Sequence, residues 1–204
     1  MVTAKGRATR DRIVAAAATM MCNRGVAATS TEDVQAAANV SSSQIYHYFA
    51  DKRSLTRAVI EHQTDAIVGR QETMLARLDT VDALRTWAEF VVTLQRKRGY
   101  RGGCPLGTLA SELAENDTDA REDLAAGYRR WNQAIRTGLA AMADRGEFQP
   151  GTDVDRLAIA LLTALQGGLL LSKTLRDGEP LETALGTMLD HIESFTAAGQ
   201  SPRS

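Results

Sequence analysis

Residues 29–55 read TSTEDVQAAANVSSSQIYHYFADKRSL, and this stretch decides the fold. The spacing predicts two short helices meeting at a tight turn around Asn39, whose short polar side chain tolerates a left-handed backbone. Thr29 with Glu32, and Ser41 with Gln44, each form a capping-box pattern at a helix start. In the second helix Ile45 and Phe49 stand at i and i+4 and are expected to bury inward. Val34 and Ala37 are placed behind them and Val40 fills the turn. Ser41, Ser42, Ser43 and Gln44 supply hydroxyls and an amide near the helix N-terminus, and Tyr46, His47 and Tyr48 follow one turn on. That order suits a helix entering a DNA major groove N-terminus first, where its dipole also favours a phosphate. Lys52 opens the next helix and can meet a phosphate, a contact that positions without reading sequence. The same spacing also fits an ordinary three-helix bundle with a solvated, serine-rich helix, and spacing alone leaves both readings open.

Outward from this stretch, nearly everything reads as helix. The four prolines stand at 105, 150, 180 and 202, all at plausible breaks, and strand-like alternation is absent. Helix one is expected from Arg7 to Arg24, with Ile13, Ala16, Ala17, Met20 and Met21 on one face and Gly25 ending it. A fourth helix after Asp51 is expected to run to about Leu78. Further helices are predicted over Val81 to Arg98, after Pro105, over Asp119 to Arg145, over Val154 to Arg176 and over Leu181 to Ala198. The fold class is therefore all-α, about nine helices. The expected division is an N-terminal three-helix unit over 1–52, the candidate for DNA binding, and a helical body over 53–204, the candidate for ligand binding and dimerisation.

Composition supports a cored, folded chain: 44% of the 204 residues are apolar and net charge is −1. The charge is uneven. Residues 1–53 hold seven basic and four acidic side chains, against 17 and 21 in the remainder. A mildly basic unit thus precedes an acidic body. Cys22 and Cys104 form no framework, so a reducing cytoplasm and no structural disulfide are expected. No secretory signal is recognised, and the apolar run from Leu157 to Leu171, interrupted by Gln166, is too short to span a bilayer. No membrane partner is expected.

Residue by residue, the N-terminal stretch resembles the TetR family of bacterial one-component regulators. Arg12-Ile13, Ala16-Ala17, Gly25, Thr29-Ser30, Asp33-Val34, Ala37, Val40-Ser41, Ile45-Tyr46, Tyr48-Phe49, Lys52 and Leu55 stand in register with its pattern. The departure is Asn39, where the family usually has glycine. The resemblance implies Thr29, Ser42, Ser43, Gln44, Tyr46, Tyr48 and Lys52 as DNA contacts. Ser41 and His47 join them by position, the tyrosines serving phosphates more than bases. Residues 101–115, RGGCPLGTLASELAE, with 167–177, GGLLLSKTLRD, and Trp131 resemble the LmrA/YxaF-like subgroup.

A single such module reads few bases, so a homodimer on a palindromic double-stranded operator is expected, its half-sites roughly 34–36 Å apart. Leu161, Leu165 and Leu169 on one helix and Leu185, Met188 and Ile192 on the next are the interface candidates, with Gly167-Gly168 permitting close approach. Core packing within one chain is the competing explanation. For a small-molecule effector the candidates are Trp87, Phe90, Leu94, Cys104, Leu106, Leu109, Tyr128, Trp131, Ile135 and Gln166. An apolar cavity with few polar handles is the expected form, and a glutamine within a leucine-rich helix needs a partner. Cys104, near Arg98 and Arg101, is also a candidate redox switch.

Other classes lack their chemistry. His47, His62 and His191 form no metal-ligand spacing with either cysteine, so no metal or cofactor is expected. GTLAS at 107–111 lacks the strand-to-helix setting of a nucleophile elbow, and no nucleophile–base pair is identifiable for an enzyme. An all-helical binding or adaptor protein without DNA binding remains the alternative. The expectation is a repressor released by a small, largely apolar ligand.

Overall fold

The computed structural model describes residues 4–69, 74 and 77–196. Among these, nine α-helices form: α1 Ala4–Arg24, α2 Thr31–Ala38, α3 Ser42–Tyr48, α4 Lys52–Thr64, α5 Val81–Lys97, α6 Pro105–Leu113, α7 Thr118–Asp144, α8 Val154–Leu175 and α9 Glu179–Ser194. A π-helical turn, Asp65–Gly69, continues α4. The described β-structure is one isolated bridge between Phe148 and Thr196. The fourth helix is thus shorter as an α-helix than expected, and its expected continuation falls largely on 70–73 and 75–76, outside the described residues. Ala198, the expected end of the last helix, also lies outside them.

Local chemistry accounts for the helix ends. Asn39 closes α2 with φ +51°, and Gly146 ends α7 at φ +71°. Asp51 caps α4 and Thr80 caps α5 by accepting backbone N–H bonds from Ser54 and Ala83. One cap differs from expectation. Ser30, not Thr29, caps α2, paired with Asp33 rather than Glu32. Both pairs have the same spacing, and burial selects between them: Thr29 is inside, its hydroxyl donating to the Gly25 carbonyl at 2.8 Å.

The chain divides into two compact units. The first comprises Met1–Ile67 and Pro105–Gly127. In it Ile13, Val14, Ala17, Ala18 and Met21 of α1 meet α2 and α4, while Val34, Ala38, Ile45 and Phe49 are buried. Ala37, expected in this core, is exposed; Ala38, at i+4 from Val34, takes the place. The segment 105–127 packs here as well. Glu112 accepts the Val26 N–H at 2.7 Å, in the loop between α1 and α2. A side chain at Gly25, already at φ +93°, would crowd that carboxylate at 3.0 Å. Arg53 reaches Asp117 at 2.9 Å and Asp119 at 3.1 Å, and Arg57 reaches Asp123 at 2.6 Å. The first unit therefore takes in more chain than residues 1–52.

The second unit comprises Val68–Cys104 and Tyr128–Ser204. α8 and α9 pack along each other, and α5 lies against α9. The dimer candidates lie mostly on the inner side of this unit. Leu161, Leu165, Leu169, Leu185 and Ile192 are all buried inside the single chain, and Met188 is half-buried. Gly168 explains the geometry: a Cβ there would stand 2.9 Å from Leu181 Cα. Close approach of α8 to α9 buries the leucine face and turns Ile159, Leu170, Leu171 and Leu175 outward, 50% to 64% exposed. By length and composition α8, at 22 residues, could cross a bilayer, beyond what the Leu157 to Leu171 run indicates. Its buried leucine face makes it a core helix of this unit.

Candidate functional site

α3 is built to display its outer face. Ile45 is buried on its inner side, and Phe49 follows as an extended C-cap with Arg10 over its ring at 5.5 Å. The outer side holds Ser42, Ser43, Gln44, Tyr46 and His47, all exposed, with Tyr46 at 56%. The capping box forms as expected: Gln44 Oε1 accepts the Ser41 N–H at 2.8 Å, and Ser41 Oγ accepts the Gln44 N–H. Ser41 and Ser43 hydroxyls are 2.9 Å apart. Ser41 therefore acts first on the helix, and Gln44 keeps its amide NH₂ as the outward donor. Tyr48 is half-buried, its ring edge-on to His47 at 4.9 Å.

Two candidates differ from their sequence roles. Thr29 is interior, its hydroxyl engaged with the Gly25 carbonyl. Lys52 is the first residue of α4 and half-buried, its ammonium donating to the Ala27 carbonyl at 3.4 Å. That long bond holds the charge beside the α1–α2 loop.

Electrostatics favour a firm scaffold for this face. The backbone N–H of Ser30 holds the Asp33 carboxyl below its ordinary 3.8, and that of Ser54 does the same for Asp51. A lowered carboxylate pKa means these caps are complete above 3.8 and are lost as pH falls through the lowered values. The Arg53 side chain, then the Ala120 N–H, lower Asp117 similarly.

Glu112, missed in the sequence, supports the same scaffold; an acidic residue 86 positions from its partner leaves no local signal. Glu112→Ala should leave the Val26 N–H without an acceptor. A charged hydrogen bond contributes roughly 1.5–3 kcal/mol, so Val26 amide exchange should quicken about 10- to 100-fold. Unchanged exchange would show that the loop does not depend on Glu112.

The effector candidates separate. In the second unit, Trp87, Cys104, Trp131 and Ile135 are buried, and Leu94 is half-buried. Leu106 and Leu109, fully buried, belong to the first unit. Phe90 stands apart: at 43% exposure it faces solvent, because Leu84, Trp87, Ala88, Val91 and Gln95 take the inward face of α5. Tyr128 donates to Gln166 Oε1 at 3.5 Å, so the expected partner for that glutamine exists. Burial pushes the Tyr128 hydroxyl well above its ordinary pKa, with the neighbouring Cys104 adding to it. Among the described residues, three buried polar atoms have no protein partner: Trp131 Nε1, Asn132 Oδ1 and Gln166 Nε2. Asn132 was not singled out from sequence, since polar residues on a long helix usually face water.

A short polar helix displayed outward from a capped trihelical scaffold is the architecture of the helix-turn-helix class. Residues 13–59 match the family described as bacterial regulatory proteins, tetR family, and residues 80–188 match the tetracyclin repressor-like C-terminal domain. The chain belongs to the TetR family and is a transcriptional regulator acting in the cytoplasm, not an enzyme. It is 27% identical to an uncharacterised HTH-type regulator of Lactococcus lactis, over 87% of this chain and 89% of that one. It is 22% identical to the HTH-type transcriptional repressor DhaR of Mycobacterium sp. strain GP1, over 90% and 91%. A TetR transcriptional regulator structure from Chloroflexus aurantiacus superposes with TM-score 0.77 at 29% identity, over 95% and 98%.

Proposed function

We propose that the protein is a homodimeric repressor bound to a palindromic operator and released by a small, largely apolar ligand. Residues 1–52 are its DNA-binding domain and 53–204 its ligand-binding and dimerisation domain. The observation that carries the reading is the face of α3: Ser42, Ser43, Gln44, Tyr46 and His47 are exposed together while Ile45 anchors the helix from behind. Ser42 and the Gln44 amide reach base edges, and Tyr46, Tyr48 and Lys52 meet phosphates. The second copy packs on the exposed stripe of α8, where Ile159, Thr163, Gly167, Leu170, Leu171, Thr174 and Leu175 follow one another. Similarity to a repressor of known type supports repression. Segments 101–115 and 167–177 support an LmrA/YxaF-like body.

The effector reading needs a ligand that prefers one of two dimer geometries. A preference of a few kcal/mol is sufficient.

Selection from a random duplex pool should return a palindrome. Against it, Lys52→Ala should weaken binding across all sequences and flatten the salt dependence by about one unit. Tyr46→Ala should weaken binding too. Binding indifferent to both substitutions, or a pool that yields no specific duplex, would return the protein to the helical-adaptor reading.

A further inference from the structure

Resting on the effector reading above, we propose that Tyr128, Trp131 and Gln166 recognise a small apolar molecule bearing an uncharged carbonyl oxygen, such as a ketone, aldehyde or ester. Trp131 is 3% exposed, and its indole N–H has no acceptor. Gln166 engages only its oxygen, which accepts from the Tyr128 hydroxyl; its amide N–H₂ is buried and unmet. Tyr128, Trp131 and Asn132 stand at i, i+3 and i+4, one face of α7. All four residues lie in the second unit.

The unmet groups set the chemistry. Of the three unmet atoms, Trp131 Nε1 and Gln166 Nε2 are donors and Asn132 Oδ1 is an acceptor. Buried donors without partners are rare in folded proteins, so the cluster is reserved for something that accepts. A carbonyl oxygen has two lone pairs and can take both donors. The four side chains carry no charge, and burial keeps the Tyr128 hydroxyl protonated. A carboxylate or phosphate would lose its hydration with no counter-charge from them. Ile135, one turn beyond Trp131, and Leu165 and Leu169, flanking Gln166 on α8, are buried apolar groups suited to the hydrocarbon part.

The test uses the full chain and three probes of one shape: acetophenone, ethylbenzene and benzoate. Quenching of Trp87 and Trp131 fluorescence reads binding, and duplex affinity is followed in parallel. Acetophenone should bind at least about tenfold more tightly than either other probe, because each lacks an acceptor or carries a charge. Gln166→Leu should erase that preference while melting no lower than the parent. Trp131→Phe, read through Trp87, should erase it as well, so the result does not hang on one variant. Equal binding of ethylbenzene, preference for benzoate, no binding of any probe because buried water already satisfies the cluster, or a preference that survives both substitutions would overturn the proposal. Selective acetophenone binding with unchanged duplex affinity would uphold this site and sink the effector reading on its own.

Discussion

Leu170→Glu combined with Leu175→Glu should break the proposed dimer and lower operator affinity at least about 100-fold, the loss expected when two linked half-sites are read separately. Both side chains are more than half exposed on α8, so the folded chain does not depend on them. In a symmetric interface each substitution counts twice. Burying a leucine is worth about 1.5–3 kcal/mol, so removing four amounts to roughly 6–12 kcal/mol before the added charges are counted. Sedimentation equilibrium should show monomers, circular dichroism should be unchanged, and duplex binding should lose its cooperativity. A variant that stays dimeric and binds normally would place the interface elsewhere. Leu165→Ala is the contrast. It is fully buried within one chain, so it should lower stability by about 2–5 kcal/mol as a core truncation, whatever the assembly does.

Gly138→Ala should lower the melting temperature, against the usual rule for helices. In an exposed helix the change would be stabilising by about 1 kcal/mol. Here the new methyl would overlap the carbonyl of Leu78, which precedes α5. A backbone carbonyl cannot rotate away as a side chain can, so α7 or the Leu78 segment must move. Overpacking of this kind costs about 1–3 kcal/mol, a fall of roughly 3–10 °C for a chain of this size. Differential scanning calorimetry measures it. A variant melting at or above the parent temperature would mean that α7 and Leu78 do not meet closely.

Much of the DNA-reading unit was legible because its determinants are local. The Ser41–Gln44 box, the αL turn at Asn39 and the glycine stop at Gly25 each involve groups within a few residues of one another. The α2 cap shows the limit of that reasoning. Thr29 and Ser30 offer the same chemistry one position apart, and only the burial of Thr29 decides between them. Ala37 and Ala38 present the same one-residue ambiguity on the next turn. Phe90 is a similar case on α5, where an apolar residue beside a well-formed inward face was left in solvent.

By itself the sequence determined the all-helical fold, the order of the helices, and the presence of a short displayed helix suited to DNA. Those follow from periodicity, caps and turn residues, which act over one or two turns of chain. Tertiary structure alone decided how the apolar surplus of α8 and α9 is divided. Both helices carry more leucine than one face needs, and nothing local distinguishes the leucines that fill the chain from those left in solvent. The contact of Gly168 with Leu181 makes that division, burying Leu161, Leu165 and Leu169 and exposing Leu170, Leu171 and Leu175. It was likewise packing between distant segments that brought Glu112 to Val26 and left the donors of Trp131 and Gln166 unpaired inside.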